Sequence, residues 1–271
     1  MNGAGGTTFG SFPESLRAGG NAAQRNPPLD WRTPTPACIG PVNPRFSRCC
    51  IALTLLLPLA LSAADPAPAG TVPRIVLFDG SSTAAWRGFG KPAFPEQGWV
   101  VEDGWLKHRA KGGGGDIMTT NRFSNFELGF TWRVTPGANS GVKYFIDEQR
   151  GSPIGHEYQV IDDASHPDAQ HGPKRQTAAL YDALPPVNPP IRPAGQTNES
   201  RIVVRGLQVE HWLNGQRVLA YTLGSPELQA AKAASKFKNE VRWGTQFATP
   251  ILLQDHGDEV WYRDVWIRPL P

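Results

Sequence analysis

Cysteine is absent from everything after residue 50: the chain has three, Cys38, Cys49 and Cys50, all near its start. A mature chain beginning beyond them has no thiol, which excludes disulfides and Cys-ligated metals. Long apolar runs are also missing. The one candidate, Cys49 to Leu61, is too short to span a bilayer comfortably. An excess of one charge sign disappears once the start is set aside. Residues 1–64 hold five arginines and two acids, so totals of 27 basic and 24 acidic residues fall to 22 of each. No basic stripe remains to recruit nucleic acid or an anionic membrane surface. Several enzyme signatures are lacking too. There is no Gly-x-Ser-x-Gly elbow and no His-Glu-x-x-His. The run Gly112–Gly115 lacks the Lys-Ser/Thr of a phosphate loop, precedes a strand, and reads as a flexible turn.

What is present begins with a leader. Residues 1–41 carry no periodic pattern and too little apolar surface to fold, so they read as disordered or as lying upstream of the true translation start. Residues 42–64 read as a bacterial-type signal peptide, with basic Arg45 and Arg48, a short apolar core, and Ser62-Ala63-Ala64 before the cleavage point. Export to the periplasm or the medium is the expectation. Residues 65–73 form an Ala/Pro linker, and residues 74–271 one domain large enough for a substantial core.

That domain reads as all-β, a sandwich of two antiparallel sheets with one short helix. Phe126, Leu128, Phe130, Trp132 and Val134 alternate with Glu127, Gly129, Thr131 and Arg133, the period of a half-buried strand. Asp103-Gly104 and Asn214-Gly215 sit between strand-forming runs and predict two-residue hairpin turns. Ser225 as cap and Pro226 in the first turn predict the helix, over 226–237. Asn139-Ser140-Gly141 reads as a turn.

The segment Gly155-His156-Glu157-Tyr158-Gln159-Val160-Ile161-Asp162 is a strand that carries Glu-x-Gln-x-x-Asp. Glu157 and Gln159 share a face; a bulge before Asp162 is expected to bring the second acid beside them. Two carboxyls and an amide suit proton transfer on a polar, uncharged ligand such as a sugar. Gln254-Asp255-His256-Gly257 adds an imidazole beside another acid and amide. His166, His171, Asp162, Asp163 and Asp168 crowd one loop, where Asp162 and Asp163 are weak candidates for a divalent cation. Of the nine tryptophans, Trp212 and Trp261 are the better candidates for a platform against a sugar ring.

From Ile75 to Leu270 an ordered series of short motifs resembles the 3-keto-disaccharide hydrolase family. It includes Leu77-Phe78-Asp79-Gly80 with Trp86, Asn139-Ser140-Gly141 and the Glu157 strand. Ala179-Leu180-Tyr181, Asn198, His211-Trp212-Leu213-Asn214-Gly215, Gln254-Asp255-His256-Gly257 and Arg263 follow. The chain departs from the family pattern at Thr249-Pro250-Ile251-Leu252-Leu253 and at Arg263-Asp264, the latter expected to form a local ion pair. The resemblance implies a concanavalin-like jelly roll whose concave face binds oligosaccharides or glycosides. It implies cleavage of a 3-keto-glycoside by deprotonation at C2, elimination and hydration. Glu157 or His256 is then the base, with Asp255 or Asp162 as acid or orienting group. Asn139, Ser140, Gln159, Tyr181, Asn198, Trp212, Gln254 and Arg263 are the implied sugar contacts. A non-catalytic carbohydrate-binding module and an ordinary glycoside hydrolase are the rival readings.

Overall fold

The computed structural model describes residues 72–271. The leader and most of the linker therefore lie outside the described residues. Two antiparallel sheets form the domain. The first contains β1 (Ile75–Phe78), β3 (Trp99–Glu102), β4 (Trp105–His108), β6 (Phe126–Val134), β9 (Asn198–Arg205), β10 (Gln208–Leu213), β11 (Gln216–Thr222) and β13 (Val260–Pro269). Its order is β11-β10-β9-β6-β13-β4-β3, with β1 pairing the far end of β13. The second sheet runs β2 (Trp86–Gly88), β5 (Ile117–Thr119), β12 (Leu252–Leu253), β7 (Asn139–Tyr144) and β8 (His156–Ile161). This is the two-sheet sandwich that the alternation predicts, in the jelly-roll form that the family resemblance implies.

The turns follow their chemistry. Asp103 and Gly104 take positive φ of 51° and 75°, and Asn214 and Gly215 take 47° and 83°, closing β3–β4 and β10–β11 as tight hairpins. Helix α1 (Pro226–Ala233) starts as expected, with Ser225 Oγ accepting the Leu228 N–H. It buries Leu228 and Ala231, but it stops four residues short of the predicted end at Phe237. Among the described residues no helix is long and apolar enough to cross a membrane.

Trp132, Tyr144, Tyr158, Tyr262, Phe78 and Phe126 fill the space between the sheets. Hydroxyls buried with these rings are hydrogen-bonded across the sandwich, as burial requires. Tyr158 and Trp132 both meet Ser200 Oγ at 2.8 Å, and Tyr262 meets Ser140 Oγ at 2.8 Å. Ser140, Val142 and Tyr144 therefore point inward, and by strand alternation Asn139, Gly141 and Lys143 point outward.

Two local expectations are corrected here. Asn139-Ser140-Gly141 is not a turn but the first half of β7, because pairing with β8 outweighs its local turn propensity. No bulge interrupts β8. The β7–β8 register runs evenly from Asn139↔Ile161 to Tyr144↔His156, which leaves Asp162 off the face that carries Glu157.

Candidate active site

Register builds the site on the outer face of the second sheet. Glu157, Lys143, Leu252 and Met118 are direct cross-strand neighbours on β8, β7, β12 and β5. One step along lies a second row. Gln159 faces Gly141, the Gln254 N–H bonds the Gly141 carbonyl at 2.9 Å, and Asp116 stands two residues before Met118. Asn139 begins the third row. Its side-chain nitrogen lies 3.4 Å from His256 Nε2.

These outward side chains are nonetheless buried. Glu157 is 7% exposed, Gln159 1%, Lys143 8% and Asn139 4%. The loop after β8 folds back along that strand and covers its edge. Ala178 N–H bonds the Gln159 carbonyl at 2.9 Å, and Tyr181 N–H bonds the Glu157 carbonyl at 3.0 Å. On the opposite side Met118, Leu252 and Ile146 pack with Phe89 into a separate apolar cluster that walls the site.

Within this enclosure Glu157 and Lys143 approach to 3.7 Å. The Glu157 carboxylate lies over Gly141, where an added Cβ would sit 2.4 Å from its Oε1. Burial raises the Asp116 carboxyl above the usual range, against the opposing pull of Lys143. The Lys236 ammonium stands 4.1 Å over the Tyr181 ring. Burial, reinforced by Lys143, depresses its pKa, while Glu157 opposes the shift. Tyr181 in turn donates to Asp168 Oδ2 at 2.7 Å, which fixes the rim.

Three buried amide oxygens, Asn139 Oδ1, Gln159 Oε1 and Gln254 Oε1, have no hydrogen-bond partner among the described residues. Leaving one such group unmatched costs about 1–3 kcal/mol. Three on one face, beside a carboxylate and an ammonium, mark a surface built for a hydroxyl-rich ligand.

Of the residues expected from sequence, the structure gathers Glu157, Gln159, Asn139, Gln254, His256 and Tyr181. It places the others elsewhere. Asp255 turns towards the opposite sheet. Its carboxylate meets buried His108 Nε2 at 3.0 Å and accepts the N–H groups of Gly115 and Gly257. Asp162 accepts N–H bonds from Gly137 at 2.8 Å and Ala164 at 3.1 Å, and Asp163 accepts one from Thr177 at 2.8 Å. Both acids, the weak candidates for a divalent cation, thus anchor their loop by accepting backbone N–H groups. Ser140 bonds the Gln254 carbonyl at 2.7 Å inside the sandwich. Asn198 is held by Arg192 and Asn214 at the end of β9.

Trp212, Trp261 and Arg263 lie on the outer face of the other sheet. Guanidinium or ammonium groups already cover their neighbourhood. Arg201 stacks 4.2 Å over Trp212, Arg133 4.5 Å over Trp261, and Arg263 sits 4.3 Å over Trp105. The expected Arg263–Asp264 ion pair is present, with 3.3 Å between the groups. A different trio, His166, His256 and Asp258, brings potential ligand atoms within 4.8 Å of one another. His166 Nδ1, however, accepts the Asp168 N–H at 3.0 Å, so its lone pair is already engaged.

Lys143, Asp116 and Lys236 are the site residues that sequence reasoning missed. Lys143 was within reach, because Val142 and Tyr144 alternate with it and point it outward. Asp116 and Lys236 carry no local signal.

Comparison with known proteins decides the family. Residues 73–268 match the profile of the 3-keto-alpha-glucoside-1,2-lyase-like domain. The chain belongs to that family. A Bacteroides thetaiotaomicron relative named 3-keto-disaccharide hydrolase is 36% identical over 228 residues, covering 72% of this chain and 78% of its own. Among solved structures, a putative glycosyl hydrolase from Parabacteroides distasonis aligns at TM-score 0.66 and 28% identity. That alignment covers 73% of this chain and 94% of the other. A second from the same organism aligns at 0.56 and 26%, covering 73% and 100%.

Proposed function

We propose that this chain is an exported carbohydrate-active hydrolase that cleaves 3-keto-glycosides by elimination followed by hydration. A ketone at C3 acidifies the hydrogen at C2. Removing it forms an enolate, whose collapse expels the substituent at C1 and leaves a C1=C2 double bond. Water then adds at C1 and a proton returns to C2, so the net change is hydrolysis. Such a route needs a base and a positive group for the enolate oxygen, but no carboxylate nucleophile. Gln159, an amide one step along the strand from Glu157 and unable to act as a carboxylate nucleophile, fits that requirement.

Glu157 is the base in this reading. It is enclosed, sits on a rigid strand, and is held against Gly141. Lys143 is the electrophile beside it, and the amides of Asn139, Gln159 and Gln254 take sugar hydroxyls. The partnerless amide oxygens next to the Glu157–Lys143 pair carry this reading, since a purely structural face would have paired them.

One assay tests it. Purified protein is given a 3-keto-disaccharide and the same disaccharide unoxidised, with release of the reducing sugar followed. Turnover of only the oxidised sugar is expected, together with a loss of at least about 10²-fold in Glu157→Gln. Equal turnover of both sugars makes the chain an ordinary glycoside hydrolase. Binding of either without release makes it a carbohydrate-binding module.

A further inference from the structure

Elimination at C1 also requires a proton for the departing oxygen, and neither Asp255 nor Asp162 faces the site to provide it. We propose that Asp116 is the general acid that protonates the leaving group. The inference rests on the reading of this face as the site of 3-keto-glycoside cleavage.

Position is the first argument. Asp116 stands at the head of β5 in the same register row as Gln159, Gly141 and Gln254, and next to the row of Glu157 and Lys143. Its side chain points to the same face as Met118, two residues on, and thus to the same face as Glu157. The base on β8 and this acid on β5 are separated by β7 and β12, with side-chain-free Gly141 between them. A sugar ring seated between Glu157 and Asp116 presents C2 towards Glu157 and its C1 substituent towards Asp116.

Fixation is the second argument. Asp116 Oδ1 accepts the Asp255 N–H at 2.8 Å, and the Asp116 carbonyl accepts the Phe89 N–H at 2.8 Å. One carboxyl oxygen is thereby held, and among the described residues no hydrogen bond claims the other. Burial keeps this carboxyl more readily protonated than an ordinary aspartate, and the Glu157 charge adds to that effect. A carboxyl raised in this way suits the acid's role in such a pair.

The step balances. The C2 hydrogen passes to Glu157, the C2–H electron pair forms the C1=C2 bond through the enolate, and the C1–O pair leaves with the aglycone oxygen. That oxygen takes its proton from Asp116, which becomes the carboxylate. In the hydration step the roles reverse: the Asp116 carboxylate takes a proton from the entering water, and Glu157 returns one to C2.

A leaving-group series separates this role from a structural one. Wild type and Asp116→Asn are compared on an alkyl 3-keto-glucoside and on 4-nitrophenyl 3-keto-glucoside, whose phenolate departs without help. Asp116→Asn is expected to lose about 100-fold or more on the alkyl substrate and far less on the nitrophenyl one. Exchange of the C2 hydrogen with solvent deuterium, which needs only the base, is followed alongside and shows that the variant is folded. Equal losses on both substrates, or none on either, overturn the assignment. If the wild type cleaves neither oxidised substrate, the functional reading itself has failed, and that outcome is distinct from failure of Asp116.

Discussion

Gly141 has no side chain, and Glu157 uses the vacated space. A β7 residue with any Cβ would meet the carboxylate at 2.4 Å, closer than real Cβ contacts come. The glycine is needed here for proximity rather than for backbone freedom, since its φ is that of a strand. Gly141→Ala is therefore expected to move the carboxylate by about an ångström and to lower turnover of a 3-keto-glycoside by about 10²-fold. Hydrogen–deuterium exchange at C2 should fall in parallel, because the proposed base is displaced. Wild-type kinetics in this variant would mean that Glu157 does not need its present position. At this scale the sequence was readable where alternation alone decided direction. Glu157 and Gln159 were placed together correctly because they are two apart on one strand. Asp162 was not, because its placement depended on a bulge that the even β7–β8 register excludes.

The turn between β12 and β13 shows what whole elements contribute. β12 is only Leu252–Leu253, after which the chain leaves the sheet and carries Gln254, His256 and Asp258 to the site edge. Asp255 pins this turn by accepting from Gly115 at 3.0 Å, from Gly257 at 2.8 Å, and by contact with His108. His108 is itself fully buried, with its ring nitrogens 2.9 Å and 3.0 Å from the carbonyls of Asp258 and Gly113. Asp255→Ala leaves two backbone donors without an acceptor and removes the carboxylate beside His108, which should cost about 3 kcal/mol. The denaturant midpoint should fall accordingly. A variant that unfolds like wild type but no longer turns over substrate would return Asp255 to the chemistry. The motif Gln-Asp-His-Gly was visible in the sequence. Which of its members faces substrate was not, because that depends on His108 from a distant strand. Asp116 was hidden for the same reason: it joins Glu157 only through the pairings β5–β12 and β12–β7, which no local pattern encodes.

At the scale of the molecule, a buried chain of hydrogen bonds ties the two sheets together behind the site. The Ala178 carbonyl can only accept, so His211 donates to it from Nδ1 at 2.9 Å and its Nε2 accepts from Tyr144 at 2.7 Å. Tyr144 then accepts from Tyr221 at 2.7 Å, and Tyr221 accepts from His156 Nδ1 at 2.8 Å. Every proton in the chain has one direction, which requires His211 to stay neutral because its Nε2 accepts; His156, whose Nε2 has no partner among the described residues, stays neutral as well. Burial does that, pushing His156 down to about 3, with repulsion from a protonated His211 and from Lys232 adding, and His211 down to about 4. In the unfolded chain a histidine titrates near the ordinary value of about 6.5. Above that pH neither state binds these protons, and the full stability is present. As pH falls below it, the unfolded chain takes up two protons that the folded one refuses, so stability drops. The limiting slope is about 1.4 kcal/mol per pH unit for each histidine. Denaturant unfolding measured from pH 7 to pH 5 should therefore show a steady loss that begins before most carboxylates titrate. A midpoint that stays level or rises over that interval would mean that His156 and His211 accept protons in the folded state, and the one-way order of the chain would have to be abandoned.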